Sequence, residues 1–565
     1  MNTCRTLLSF GLALAVSSYA AQYEAESATL SGTAQTASDG GASGSSYVQM
    51  QSGNITFTNI QASSAGKYNL KIRYKAGDYK ENDISVNSAS AGTVSFAATS
   101  SWSEVSTVIS LKAGTNTIAI VKSWGWIDVD YIDVSAYESV AFNISADPVT
   151  PNATDGAKKI YSFLRENFGK KTISGIMTGS MDGYTKGADF RTHEDPKNVY
   201  TRSGKYPALV GVDFLFATGP NASGSWQTEY TEKGLSLAKD LWSRGGIPAF
   251  TWHWKDPLDQ KDAFYIQSAA GSNEYTDFDY STAFKSGTTE WDTNSEAYKG
   301  IIADIDHIAD YFLELQTAGV AAIFRPLHEA GGKWFWWSIN SGAQFAALYR
   351  LVYDRMVNVK GVKNLIWVFN PESGTVYDWD PGSEYYDIIS IDIYNTDNDY
   401  SSNSAAFEKF KAATNNKKMV ALTENGPLPD VNNMHSDEAV WSWWMVWYGS
   451  WNGKWPGQTS NDVWKNNMED NRIITFEDMP GWGSFTPAIE SSSSEPVAES
   501  SSSVEHTLRL VKDLELNGSS KITGIFDLNG HYMGSEGAMS KLPQGRYIVR
   551  SQKAGHTVNT LYIKK

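Results

Sequence analysis

The chain has 565 residues, more than one hydrophobic core usually supports, so two or more domains are expected. Its formal net charge of -16 excludes nucleic acid and anionic membrane as the principal partner, because both require basic patches. A single cysteine, Cys4, excludes a disulfide framework and a cysteine-based metal site.

Taken in chain order, residues 1–20 carry Arg5, an apolar run from Leu7 to Val16 and the small-residue pattern Ser18-Tyr19-Ala20. This predicts a signal peptide cut after Ala20, hence an exported protein. No later stretch approaches the roughly 20 apolar residues that a spanning helix needs. Residues 22–136 alternate apolar and polar positions in short runs, as in Tyr68-Asn69-Leu70-Lys71-Ile72-Arg73-Tyr74, separated by Gly, Ser and Asn clusters. That pattern predicts a β-sandwich.

A connector (137–150) containing Pro148 leads into residues 151–486, where helical stretches alternate with short apolar runs. Eight strand candidates are Ile173–Met177, Ala208–Phe214, Pro248–Trp252, Ala321–Arg325, Leu365–Asn370, Ile388–Tyr394, Met419–Thr423 and Trp443–Trp447. Eight β/α units predict a (β/α)8 TIM barrel, with a doubly wound sheet as runner-up. Helical spacing is clearest over Asp155–Phe168, Glu232–Ser243, Ala303–Gln316 and Gln344–Val359. Residues 487–505, with Ser491–Ser494 and Ser500–Ser503, read as a linker, and 506–565 as a small C-terminal β domain.

Residues at the C-terminal strand ends of such a barrel face its active site. The fourth strand ends in Arg325-Pro326-Leu327-His328-Glu329, and the seventh in Thr423-Glu424-Asn425-Gly426. Two carboxyl groups held across a barrel mouth are what retaining glycoside hydrolysis requires: one protonates the leaving oxygen, the other attacks the anomeric carbon. Either glutamate alone would equally serve as a salt-bridge partner or a helix cap. A zinc reading of His328-Glu329 fails because the H-E-x-x-H pattern has Gly332 where its second histidine belongs. The chain is also rich in Trp (21) and Tyr (29), whose flat faces suit sugar rings.

With Trp334-Phe335-Trp336-Trp337 following the first acid, these motifs resemble glycoside hydrolase family 26, the β-mannanase family. The resemblance implies Glu329 as general acid/base and Glu424 as nucleophile, with no cofactor for catalysis. It implies substrate contacts for His253, Arg325, His328, Trp334, Asp392, Tyr394 and Trp447, the tyrosine bonding the nucleophile. The implied function is secreted endo-β-1,4-mannanase action on mannan, glucomannan and galactomannan. Related β-1,3-1,4-glucanase or β-1,3-xylanase activity is the alternative, and a glycan-binding surface protein with an inactive barrel is the alternative of another class.

The sandwich, opening Tyr23-Glu24-Ala25-Glu26 and closing Trp124-Gly125-Trp126-Ile127-Asp128-Val129-Asp130, resembles carbohydrate-binding module family 35. That implies sugar contacts at Trp126 and Asp128 and a structural calcium held by Glu24, Glu26 and Asp130, a hard-cation oxygen site. The C-terminal Phe526-Asp527-Leu528-Asn529-Gly530 and Gly545-Arg546-Tyr547 pattern resembles the sorting domain of type IX secretion substrates, which implies contact with secretion machinery and either removal or retention at the outer cell surface; an extra binding or adhesion module is the alternative.

Overall fold

A computed structural model describes residues 21–138, 140–447 and 458–487, and the backbone of five strands between 509 and 564. The expected signal peptide and nearly all of the expected serine-rich linker lie outside the described residues.

Residues 21–136 form the expected sandwich. One antiparallel sheet orders the strands Gln35–Ser38, Ser46–Gln49, Asp128–Ala136, Gly66–Lys75 and Ser103–Leu111, with Ala21–Glu24 pairing onto Asp128–Ala136. The other orders Thr29–Leu30, Ile55–Ala62, Gly114–Trp124, Lys80–Val86 and Ala89–Phe96. The two-residue side-chain period does the sorting: in Gly66–Lys75, Tyr68, Leu70, Ile72 and Tyr74 are buried while their neighbours are half-exposed.

The barrel strands are β1 (Thr172–Met177), β2 (Leu209–Asp213), β3 (Ile247–Thr251), β4 (Ala322–Arg325), β5 (Leu365–Phe369), β6 (Ile388–Ile393), β7 (Met419–Asn425) and β8 (Trp443–Val446). All pair in parallel, and β1 pairs with both β2 and β8, which closes the ring. Helices cover the outside while side chains fill the inside, so the strands read as unbroken apolar runs. Only the end of β6, at Asp392 and Ile393, emerges from full burial. Gly211 on β2 is required by this packing: a Cβ there would stand 2.4 Å from the Met177 sulfur.

The helices are α1 (Asp155–Asn167), α2 (Glu194–Ser203), α3 (Ser225–Ser243), α4 (Glu296–Thr317), α5 (Gly342–Asp354), α6 (Ser404–Ala413), α7 (Val431–Ser436) and α8 (Asn461–Glu469). Side-chain caps fix several starts earlier than apolar spacing suggests; the Ser295 hydroxyl accepts from the Tyr298 amide at the head of α4. The expected helix Gln344–Val359 is two pieces, α5 followed by a π-helical stretch, Arg355–Lys360.

The eightfold β/α alternation also breaks once. Residues 370–387, between β5 and β6, hold no α-helix. Turn-forming sequences explain the departure: Asn370-Pro371-Glu372-Ser373-Gly374 and Asp380-Pro381-Gly382 leave no run long enough to propagate a helix.

The sandwich and barrel belong to one compact unit, ending near Ala488. Beyond it, the strands Arg509–Val511, Ser520–Asp527, Tyr532–Gly534, Gly545–Lys553 and His556–Lys564 form a separate five-stranded sheet.

Candidate active site

The ends of β4, β6 and β7 bring Glu329, Asp392 and Glu424 so close that a carboxylate oxygen from each lies within 4.8 Å of the others. Three like charges at that separation would repel strongly. Arg325, at the end of β4, relieves this: it donates to Asp392 Oδ2 at 2.6 Å and pairs with Glu424 Oε1. A cation is thus already supplied within the carboxylate cluster.

Asn370 organises the same ring of residues from the end of β5. Its Oδ1 accepts from the Glu329 amide (2.8 Å) and from Arg325 (3.0 Å). Its Nδ2, with two protons to donate, lies within hydrogen-bond distance of Asp392 Oδ1 (3.2 Å), Ser390 (3.1 Å) and Thr423 (3.2 Å). These bonds over-determine a strained turn, since Leu327 (φ 49°) and Glu329 (φ 54°) both adopt the left-handed region.

The two glutamates occupy different environments. Burial, then the charges of Glu424, Asp392 and Glu372, hold the Glu329 carboxyl well above the usual range, with Arg325 opposing. Its Oε2 accepts from the Trp334 indole N–H at 2.6 Å. Glu424 is buried and accepts from Arg325 and from the Tyr394 hydroxyl, the latter at 2.5 Å. Burial, partly opposed by Arg325, pushes Asp392 up to about 7, while Thr423 Oγ1 donates to it at 2.6 Å.

His328 and His253 meet through their Nε2 atoms at 3.2 Å. His253 Nδ1 lies 2.5 Å from Asp213 Oδ2, which fixes a proton on that nitrogen. Burial first, then His253 and Arg325, keep His328 well below its ordinary pKa and therefore neutral. When His253 is neutral, its Nε2 accepts and His328 Nε2–H donates. Trp447 lies beyond β8 with its ring 5.9 Å from that of His253. All nine barrel residues predicted from sequence therefore converge on one mouth.

The neighbouring tryptophans divide differently. Trp336 and Trp337 are buried core, donating their indole N–H groups to the carbonyls of Trp254 (2.6 Å) and His328 (2.9 Å). Sequence reasoning missed Asp213, Tyr265, Asn370 and Glu372. Position at the end of β2 and β5 was the available signal for Asp213 and Asn370. Tyr265 comes from the long β3–α4 segment and Glu372 from the β5–β6 loop; the charges of Glu329 and Glu424 help raise Tyr265, after burial. Glu372 is pushed up to about 8 by burial, then by Asp392, Glu81 and Glu424.

In the sandwich, Trp126 is exposed and Asp128 is half-buried, its carboxyl pushed up to about 6 by burial and by Asp39 against Lys75. Oδ1 of Asp128 has no hydrogen-bond partner. The sequence reading did not include the group beside it: Lys75 pairs with Asp39, which accepts from the Trp102 indole (3.1 Å), and Tyr47 meets Trp102 edge-on at 5.3 Å.

The predicted cation ligands are nearby but unequal. Ser43 Oγ donates to Glu24 Oε1 at 2.8 Å and the Ser43 amide donates to Asp130 Oδ1 at 2.9 Å. Oε2 of both Glu24 and Glu26 is buried without a hydrogen-bond partner, as a hard cation's donors would be. Asp130, however, is ion-paired with Arg73, so its charge is already met. Glu24 and Glu26 fit the cation; Asp130 fits it less well than the sequence implied.

The comparisons with known proteins agree with this geometry. A family model described as "Glycosyl hydrolase family 26" matches residues 149–476. The chain belongs to glycosyl hydrolase family 26. A second model, "Carbohydrate binding module (family 35)", matches residues 21–137. A mannan endo-1,4-β-mannosidase of Thermothelomyces thermophilus is 34% identical over 476 residues, covering 82% of this chain and 92% of that protein. Among solved structures, a GH26-CBM35 β-(1,4)-mannanase of Podospora anserina is 30% identical, with TM-score 0.53 over 82% of this chain and 99% of that one. A β-mannanase from a symbiotic protist of the termite Reticulitermes speratus, complexed with gluco-manno-oligosaccharide, is 38% identical, with TM-score 0.53 over 61% of this chain and all of that one. The family 26 barrel carries the acid pair, and the family 35 module carries the Trp126–Asp128 region.

Proposed function

We propose that this glycoside hydrolase is a secreted endo-β-1,4-mannanase that cleaves mannan, glucomannan and galactomannan with retention of configuration. The observation that carries the mechanism is the approach of the Glu329 and Glu424 carboxylates to within 4.8 Å. Retaining enzymes hold their carboxyl groups about 5–5.5 Å apart, whereas inverting ones need about 6.5–9.5 Å to admit water. The activities named for the relatives support mannan as the substrate.

In this reading Glu329, kept protonated by burial and neighbouring charge, donates its proton to the glycosidic oxygen as the C–O bond breaks. Glu424, aligned by Arg325 and Tyr394, attacks the anomeric carbon and forms a glycosyl-enzyme. Glu329, now a carboxylate, deprotonates a water that displaces Glu424, returning both groups to their starting states. Trp334 holds the acid in place, and Trp447 offers a ring beneath the sugar being cleaved.

The module retains the enzyme on polysaccharide through Trp126 and Asp128. A calcium ion, matched by the buried oxygens of Glu24 and Glu26, would brace the sandwich without entering the chemistry. Export rests on the pattern in residues 1–20, and surface retention on the C-terminal resemblance.

Reducing-sugar release on linear mannan, glucomannan, lichenan and β-1,3-xylan tests the substrate. The expected result is activity on mannan and glucomannan that is lost in Glu329→Ala and in Glu424→Ala. Activity confined to lichenan or xylan would overturn mannan while keeping the mechanism.

A further inference from the structure

The module is not merely tethered to the barrel. Lys67 of the sandwich pairs with Glu408 of α6, with side chains only 6% and 2% exposed. Tyr137 donates to the same carboxylate at 2.5 Å, and Lys411 lies 3.3 Å from it. A desolvated ion pair with several donors around one carboxylate gives the contact a defined geometry.

Docked this way, the module and the barrel line a half-open cleft of about 960 Å³ that runs along α6 and past the end of β6. Clefts of roughly 300–1,000 Å³ hold ligands of several rings. Asp83, Thr93 and Ser95 line it from the module, and Ser373, Tyr377 and Tyr394 from the barrel. Tyr394 is one of the residues lining this groove, and its hydroxyl donates to Glu424. The groove therefore begins one side chain from the nucleophile.

Its chemistry suits a neutral polyhydroxylated chain. Aliphatic side chains such as Ile84, Val94 and Ile393 make up most of its wall, with hydroxyl, phenol and carboxylate groups spaced among them and the ammonium of Lys409 donating to Ser373 Oγ at 3.0 Å. The N–H groups of Lys409 suit sugar hydroxyls, and the carboxylate charge acting on this ammonium is that of Glu81.

At the rim, Tyr79 and Trp124 are 41% and 58% exposed, their ring centroids 6.0 Å apart. The Tyr79 hydroxyl comes so close to the β5–β6 loop that a Cβ on Gly374 would lie 3.2 Å from it. The Tyr79 hydroxyl also donates to Glu81 and lies 3.1 Å from the Ser95 hydroxyl, which can donate to it. The loop that took no helix is thus the one the module reaches.

We infer that the module completes the catalytic cleft: the groove between its strands Lys80–Val86 and Ala89–Phe96 and the β5–β6 loop binds further mannosyl units of the same chain that Glu329 and Glu424 cleave. This rests on the mannanase reading above. The module then acts twice, holding polysaccharide at its own sugar site and extending the row of subsites.

The test compares kcat/KM of the full chain on β-1,4-manno-oligosaccharides of four to eight units with Ser95→Trp, which fills the groove, and Tyr377→Ala, which removes a 62% exposed ring. Both substitutions lower kcat/KM on the longest substrates by about tenfold, the scale of one aromatic contact, and leave four-unit substrates nearly unchanged. An unchanged melting temperature for Tyr377→Ala shows that the loss does not come from unfolding. An equal loss at every length, or no loss at any, overturns the groove assignment. Failure of the unsubstituted enzyme on the whole series instead refutes mannan as substrate, and this occupant with it.

Discussion

Nε2 of His253 and Nε2 of His328 face one another at 3.2 Å, so the two rings form one hydrogen-bonded unit anchored on Asp213. The unit packs at the base of the catalytic mouth, where the His328 ring also meets Phe335 at 5.0 Å. His328 immediately precedes Glu329, so ring orientation and acid position are coupled through one peptide. His253→Ala therefore reduces kcat/KM by about 10- to 100-fold, the scale of a small misplacement of reacting groups. Asp213→Asn loses less, in the same direction. Steady-state kinetics on a soluble mannan check both.

The charge of Glu424 helps hold the Glu329 carboxyl up, after burial. Removing a negative neighbour favours ionisation, so Glu424→Gln lowers the pKa of Glu329. NMR titration of 13C-labelled glutamate carboxyls in this inactive variant and in the unsubstituted enzyme measures the difference directly. In the active enzyme the basic limb of the kcat/KM profile reports the same proton, because activity is lost as pH rises through the pKa of the acid.

Tyr394 contributes one hydroxyl to the nucleophile at 2.5 Å. A hydrogen bond to a charged group is worth about 1.5–3 kcal/mol, so Tyr394→Phe lowers kcat by about 10- to 100-fold with little change in KM. An equal rise in KM with kcat unchanged would instead assign the tyrosine to ground-state substrate binding.

How much of this was legible in the sequence follows from the source of each residue. Glu329 and Glu424 lie at the ends of β4 and β7, where period and strand order alone put them at the mouth; Arg325 shares the end of β4 and Tyr394 follows β6. Glu372 and Tyr265 were not legible, because turn-rich segments give no period from which to place a side chain; only the closed ring of strands does so. Trp102, Asp39 and Lys75 were missed for a related reason. Lys75 ends one strand while Asp39 follows and Trp102 precedes two others, so they become neighbours only through the packing of the sheet, whereas Trp126 and Asp128 stand two residues apart. The Arg73–Asp130 pair is likewise a cross-strand contact.

The docking of the module on α6 gives a stability prediction. Glu408→Ala removes the nearer carboxylate of the buried Lys67 and leaves it only Glu438 at 3.8 Å, and losing one member of a buried pair costs about 3–5 kcal/mol. The module and barrel should then melt as two separate calorimetric transitions. Replacing both partners, Lys67→Met with Glu408→Leu, recovers most of the loss, since matched apolar groups are often neutral or stabilising at such sites.

The central claim is that Glu329 and Glu424 act as acid/base and nucleophile of a retaining hydrolase. Time-resolved proton NMR of the anomeric signals during cleavage of a β-1,4-manno-oligosaccharide tests it most directly. The account predicts that the β-anomer forms first and mutarotates later. First appearance of the α-anomer would contradict it, because single displacement by water would then be the mechanism and Glu424 a base rather than a nucleophile.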